Sequence, residues 1–170
     1  MEKVKCLPRS ALSVLFLVAV SHFNSFPGAF HYDDTHSIVE NENLSSSDIW
    51  ERLWYDYSVF SNEKHKGMYR PLVVFSYAIT NFFTGLNSAA FILTNIIVHA
   101  CVSLTLLMIV RHLYSSEFLA WLTAAIFALH PINSQVTNYI SSRSESMAAL
   151  GVLLSLLCFY RSRVFFGVFA

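Results

Sequence analysis

The sequence predicts an all-α integral membrane protein of about four transmembrane helices, and three observations carry that expectation. Of its 170 residues, 55% are apolar and only 13% charged, against about 25% charged in an ordinary soluble domain. Long apolar runs recur at 88–110, 117–129 and 147–160, with a further run at 11–20 near the start. The acids are gathered elsewhere: apart from Glu2, Glu117 and Glu145, every carboxylate lies between Phe30 and Arg70. Zero formal net charge and the lack of a dense Lys/Arg cluster exclude nucleic acid as a partner.

Taken in order, Lys3, Lys5 and Arg9 precede the run 11–20, which weakens through Ser21, His22, Asn24 and Pro27. A basic start, a short apolar run and small residues at Gly28 and Ala29 fit a secretory signal. Phe23, Phe26 and Phe30 extend the segment toward the roughly 20 residues a bilayer needs, so 1–29 reads as a cytoplasmic N-terminus and an uncleaved first transmembrane helix.

Residues 30–87 then form a luminal acidic loop with interfacial or re-entrant helices. The loop holds one acceptor sequon, Asn43-Leu44-Ser45, which suits a luminal face. Ser45-Ser46-Ser47-Asp48 has the composition of a helix start, and Ile49, Trp50, Leu53, Trp54 and Tyr57 follow at helical spacing, predicting an amphipathic helix whose aromatics lie at headgroup depth. Tyr69-Arg70-Pro71 opens the apolar stretch 72–83, which is too short to cross, and Thr84-Gly85-Leu86-Asn87 breaks it.

Residues 88–163 supply three further transmembrane helices with short loops. The span at 88–110 carries Asn95 and His99, polar groups in lipid that should hydrogen-bond between helices. The next helix ends at His130-Pro131. A polar stretch at 133–145 contains Arg143, and the last span, 147–160, stops at Arg161 and Arg163. Lys3, Lys5, Arg9, Arg111, Arg161 and Arg163 then share the cytoplasmic side. Residues 164–170 read as a truncated apolar tail. Cys6, Cys101 and Cys158 form no disulfide framework and no zinc or haem spacing, and the latter two read as apolar helix fillers.

The chemistry concentrates in His31-Tyr32-Asp33-Asp34-Thr35-His36. Adjacent carboxylates at the mouth of a bundle suit a general base, whose pKa would rise beside lipid, a divalent-metal site, or a solvated pair. Neighbouring residues point apart, so one of Asp33 and Asp34 at most transfers a proton. His31 and His36 invite a metal reading, but no third fixed ligand is identifiable, and no metal site is assigned. Arg70 and Arg143 are the cations best placed to grip a phosphate bidentately; the bland alternatives are an interfacial anchor and a helix cap.

Asp33-Asp34 after the first span, Tyr69-Arg70-Pro71-Leu72, the span with Asn95 and His99, and Ala124-Ala125-Ile126-Phe127-Ala128-Leu129-His130-Pro131-Ile132 followed by Ser142-Arg143-Ser144-Glu145 resemble the membrane part of the transmembrane and tetratricopeptide-repeat O-mannosyltransferases. The resemblance runs from about Phe30 to Arg163. It implies a GT-C type bundle in the endoplasmic reticulum membrane that takes mannose from dolichyl-phosphate mannose and places it on Ser or Thr hydroxyls of secretory-pathway proteins such as cadherins. It implies catalysis at Asp33 and Asp34, Asp33 foremost; substrate binding is expected at Arg70, His130 and Arg143, which the charge distribution places on the same luminal side. The family's further spans and C-terminal repeats are not among these residues, so the sequence predicts a partial enzyme that is inactive alone, or else a non-catalytic assembly or regulatory fragment; a transporter fits less well, since no inverted repeat is evident.

Overall fold

The structure is a computed structural model that describes residues 9–26 and 28–168, with side chains for all of these except Lys64 and 163–168. The expectations placed on Lys3, Lys5, Cys6, Pro27, the side chain of Arg163 and the tail beyond Val168 lie outside the described residues. Everything described is helix, turn or loop. Among the described residues the seven α-helices are α1 (Arg9–Ser21), α2 (Ile49–Arg52), α3 (Pro71–Thr84), α4 (Ser88–Tyr114), α5 (Glu117–Leu129), α6 (Asn133–Asn138) and α7 (Arg143–Val168).

Two of them, α4 and the stretch Ile140–Ser162 that includes most of α7, are long and apolar enough to cross a membrane. A helix the length of α4 rises about 40 Å from end to end, more than the roughly 30 Å thickness of a hydrocarbon core. Helices α1 and α5 are each about half as long as α4 and fall short of that thickness.

Helix α1 therefore stops well before Phe30, contrary to the sequence expectation. Its end is held chemically: the Val18 carbonyl accepts from the His22 amide at 3.2 Å, from Ser21 Oγ at 3.1 Å and from His22 Nδ1 at 3.0 Å. Polar side chains that take over the last carbonyls end a helix even where the flanking residues stay apolar. The expected amphipathic helix is likewise short. Only Ile49–Arg52 is α-helical, and after a turn the chain re-forms as a 3₁₀ segment at Tyr57–Phe60. Asp56 causes the break: its carboxylate holds Arg52 at 3.0 Å and accepts from the Ser58 amide at 2.9 Å, a local bond that competes with the next helical turn.

The boundaries of α3, α4 and α5 follow local rules. Pro71 occupies the first turn of α3, where its missing N–H costs nothing. Gly85 ends that helix at φ 62°, donating its amide to Asn81 O at 2.8 Å. Ser116 caps α5 by accepting from Leu119 N at 3.3 Å, and His130 stands at its other end. The Phe127 carbonyl accepts from the His130 amide at 3.3 Å and from Asn133 Nδ2 at 2.6 Å, which closes that helix end. The polar stretch before the last span is partly helical itself, and α7 begins at Arg143 rather than at Met147.

The contacts divide the described residues into two compact units. One takes in the described residues through Phe23, with Ile96–Ser134 and those from Ser146 onward; the other is Asn24–Asn95 with Gln135–Glu145. In the first, α1 packs on α5. Ala120, Ala124 and Ala128, spaced by four, are buried on one stripe of α5, and Ala11, Val14 and Val18 are buried on α1. Small residues at that spacing let helix backbones approach closely. Trp121 Nε1 donates to Ser13 Oγ at 2.7 Å, and Ser10 Oγ donates to Glu117. His99 meets the Ala128 carbonyl through Nε2 at 3.3 Å and stacks on Phe127 at 5.4 Å, the helix-to-helix contact expected of it. Cys101 and Cys158 are free and exposed on their helices.

In the second unit, the acidic loop folds back on α3. Buried Asn41 ties it together, donating to the Ser37 and Val59 carbonyls at 3.1 and 3.0 Å and accepting from Asn43 Nδ2 at 2.9 Å. Ile49, Leu53, Val59 and Phe60 are buried, whereas Trp50 and Trp54 are largely exposed and pack edge-on or tilted against Phe75 at 6.0 and 6.4 Å.

Candidate functional site

Tyr32 begins the site with a left-handed backbone, φ 48°, rare for a side chain of its size. The turn it makes is closed by Asp34 N to His31 O at 3.0 Å and Thr35 N to Tyr32 O at 3.1 Å. One turn of π-helix, Thr35–Val39, follows at once, a widened turn that re-aims side chains relative to a regular helix. The result is that Asp33 and Asp34, adjacent in sequence, have opposite surroundings.

Asp34 is fully buried. One carboxylate oxygen accepts from the His31 amide at 3.0 Å, and the other accepts from the amide and the hydroxyl of Ser141 at 2.8 and 2.5 Å. It clamps the turn to the hydroxyl-rich segment 139–142. Asp33 faces outward, its side chain 61% exposed, with Oδ1 3.4 Å from His36 Nε2. Its amide donates to the Tyr139 hydroxyl at 3.3 Å. The Tyr139 hydroxyl beside the Asp33 carboxyl holds that group below the usual carboxylate range, with His36 and Lys66 adding to the effect and the little burial opposing it. The sequence led us to expect a raised pKa beside lipid; the direction is the reverse, because hydrogen bonds to the charged form outweigh a slight desolvation. Tyr139 itself is pushed up, by burial first and by Asp33 next, and so stays a hydroxyl donor at neutral pH.

Asp33 lines a cavity of about 330 Å³ together with His36, Lys66, Arg70, Tyr139 and the serines 141, 142 and 144; Glu145 is a second acid on its wall. Arg70 stands over the Phe60 ring at 5.4 Å and donates through Nη1 to Ser144 Oγ at 3.1 Å. It makes no ion pair among the described residues, whereas Lys66 pairs with Glu63 at 3.2 Å. His36 is buried and oriented by Ser61 Oγ, 2.9 Å from Nδ1. A cavity with two carboxylates, Asp33 and Glu145, a guanidinium in no ion pair among the described residues and several hydroxyls has the groups to bind a phosphate-bearing sugar and accept a proton from a hydroxyl.

Arg143 is not on that wall. It is fully buried, with Nε donating to Asn95 Oδ1 at 2.7 Å, Nη2 to Phe91 O at 2.9 Å and Nη1 to Ser76 Oγ at 3.2 Å, and with Tyr77 and Phe91 on its faces at 4.8 and 5.4 Å. Asn95 Nδ2 faces the carbonyls of Val136, Thr137, Tyr139 and Ile140 at 3.3 to 3.5 Å, and Tyr77 donates to Ile140 O at 3.3 Å. Arg143 and Asn95 thus hold the segment that presents Tyr139 and Ser141. His130 is exposed in the other unit, where its Nδ1 accepts from Ile132 N at 3.3 Å. Among the described residues no group of three His, Cys, Asp or Glu is placed to hold a metal ion.

Sequence reasoning missed Tyr139, Ser141, Ser144 and Lys66. The signal for the three between 139 and 144 is a run of hydroxyl residues in a polar stretch between apolar helices; Lys66 has no such signal.

Together the fold and this cavity define an all-helical membrane protein with a polar cavity that gathers carboxylates, a guanidinium and hydroxyls. Protein O-mannosyl-transferase TMTC1 of Homo sapiens is 32% identical over 149 residues, which are 81% of this chain and 16% of that protein. Protein O-mannosyl-transferase TMTC2 of Mus musculus is 29% identical over 143 residues, 82% of this chain and 17% of the relative, and TMTC4 of Mus musculus is 27% identical over 164 residues, 86% and 22% respectively. No family model matches the chain, and no solved structure does. Over about four-fifths of its own length the chain is similar to these protein O-mannosyl-transferases, and it spans about one-sixth to one-fifth of theirs.

Proposed function

We propose that this chain forms the first part of a GT-C type glycosyltransferase bundle of about four spans in the endoplasmic reticulum membrane, which moves mannose from dolichyl-phosphate mannose to Ser or Thr hydroxyls of secretory-pathway proteins, cadherin-like ones included. The observation that supports it best is Asp33 and Arg70 lining one cavity. Arg70, with Lys66 beside it, binds the donor phosphate. Asp33, held ionised by Tyr139, accepts the proton from the acceptor hydroxyl; the hydroxyl oxygen bonds to the anomeric carbon as that carbon's bond to the phosphate oxygen breaks, and dolichyl phosphate leaves with the electron pair. A carboxylate of low pKa is a weak base, so the proton moves late, once bond formation has made the hydroxyl acidic. Asp34 and Arg143 position this site, Asp34 through Ser141 and Arg143 through Asn95.

The test is a relative with its matching segment replaced by this chain, assayed in microsomes with labelled dolichyl-phosphate mannose and a Ser/Thr peptide. Asp33→Asn should lower turnover by about 10²-fold or more at unchanged abundance, and Arg70→Ala should weaken donor binding roughly ten- to hundredfold. Arg143→Ala should instead reduce the amount of folded protein. If Asp33→Asn and Asp34→Asn both transfer mannose at the unmutated rate, the catalytic assignment fails. The non-catalytic reading, favoured by the internal saturation of Asp34 and Arg143, then takes its place.

A further inference from the structure

A second cavity, about 450 Å³, lies wholly in the unit built from α1, α5 and the bodies of α4 and α7. Its volume is within the roughly 300–1,000 Å³ of small-molecule sites. Leu107 and Leu157 are buried in its wall, Leu104 is half-buried, and its exposed members are Met108 and Ser115 with the cationic Arg111, His112 and Arg161. Arg111 pairs with exposed Glu117, Nε to Oε2 at 3.2 Å, and Arg161 makes no ion pair among the described residues. Two guanidiniums against one carboxylate leave the rim cationic. Arg111 and His112 sit in the last turn of α4, where the macrodipole favours them; that accounts for cations there, but not for an apolar hollow beneath them.

We infer that this cavity binds an anionic phospholipid, with its phosphate on Arg111 and Arg161 and an acyl segment against Leu104, Leu107 and Leu157. Basic pockets between membrane helices recognise lipid head groups in this way. A packed helix, from a second copy or from elsewhere in a longer protein, would cover the leucines but bury Arg161 without an ion-pair partner, a heavy desolvation penalty. A phospholipid satisfies both halves at once. This site shares no residue with the Asp33 cavity and does not depend on the mannosyl-transfer reading.

The experiment is native mass spectrometry of the full chain from mixed micelles holding equal dioleoyl-phosphatidylglycerol and dioleoyl-phosphatidylcholine. Phosphatidylglycerol should be retained at least tenfold over phosphatidylcholine. Arg111→Gln with Arg161→Gln should cut retention about tenfold or more, since charge-assisted phosphate contacts are lost. Leu104→Trp, which fills the apolar half and keeps the rim, should cut it similarly, while Arg111→Lys with Arg161→Lys should stay within about threefold because Lys and Arg attract an anionic head group to a similar degree. Equal retention of the two lipids by the unmutated chain overturns the proposal, as does unchanged retention in the glutamine pair or in Leu104→Trp. Displacement of the lipid by equimolar inorganic phosphate would assign the rim to a free anion and overturn it as well.

Discussion

Asp33 and Asp34 share a sequence motif, and nothing in the sequence distinguishes a buried clamp from an exposed, ionised group; the π-turn and the hydroxyls at 139 and 141 do that, the latter from more than a hundred residues away. The consequence is a testable order of titration. Because the Tyr139 hydroxyl is the chief cause of the low Asp33 pKa, Tyr139→Phe should move the Asp33 midpoint upward, toward the ordinary value of 3.8, in a carbon-detected carboxyl titration of the chain in detergent. The sign for stability follows. A depressed folded pKa favours the ionised form, so the contribution of Asp33 is fully present above the unfolded pKa and is lost as pH falls through the lowered folded value. No part of the loss of stability between pH 7 and 5 should then depend on Asp33 or Tyr139. A midpoint that stays put in Tyr139→Phe would remove Tyr139 from the account of this carboxylate.

Helix ends were the most legible elements, because they depend on adjacent residues: Pro71, Gly85, Ser116 and His130 mark the bounds of α3 and α5 where the sequence places them. The misplaced ends depend on side chains that compete for the backbone. Ser21 and His22 converge on one carbonyl, and Asp56 draws the chain out of α2, and neither preference shows in hydrophobic spacing. The packing of α5 was also written in the chain, as alanines at 120, 124 and 128, although the sequence does not say which helix they face. In the structure that stripe is buried, on a helix that packs against α1. Ala124 is completely buried, so Ala124→Leu adds a branched side chain to a closed interface and should destabilise by about 1–3 kcal/mol. Ile126→Leu, on the exposed face of the same helix, should change little. Thermal unfolding of the two variants in one detergent measures the difference, and equal midpoints would mean that α5 does not pack through its alanine stripe.

For the whole molecule, composition was enough to declare a helical membrane protein, while the cavity at Asp33 was not legible, since it assembles residues 33, 70 and 139–144 that no local rule connects. Orientation is the property of the whole chain that the sequence predicts and a single atom can report. If the basic residues Arg111 and Arg161 lie in the cytoplasm, then the loop with Asp33 is luminal and its one sequon, Asn43-Leu44-Ser45, meets the glycosylation machinery. In the folded chain Asn43 is half-buried and its Nδ2 donates to Asn41 Oδ1 at 2.9 Å, so modification must come before the loop closes. Translation into microsomes should therefore give one endoglycosidase-sensitive shift in mobility, lost in Asn43→Gln. Asn41→Ala, which removes the bond that withdraws the Asn43 amide, should raise the glycosylated fraction. An unshifted band in the unmutated chain, together with an unmodified acceptor site engineered at the exposed Glu63–Lys66 turn, would place this loop in the cytoplasm, and with it would go the donor and acceptor proposed for the Asp33 cavity.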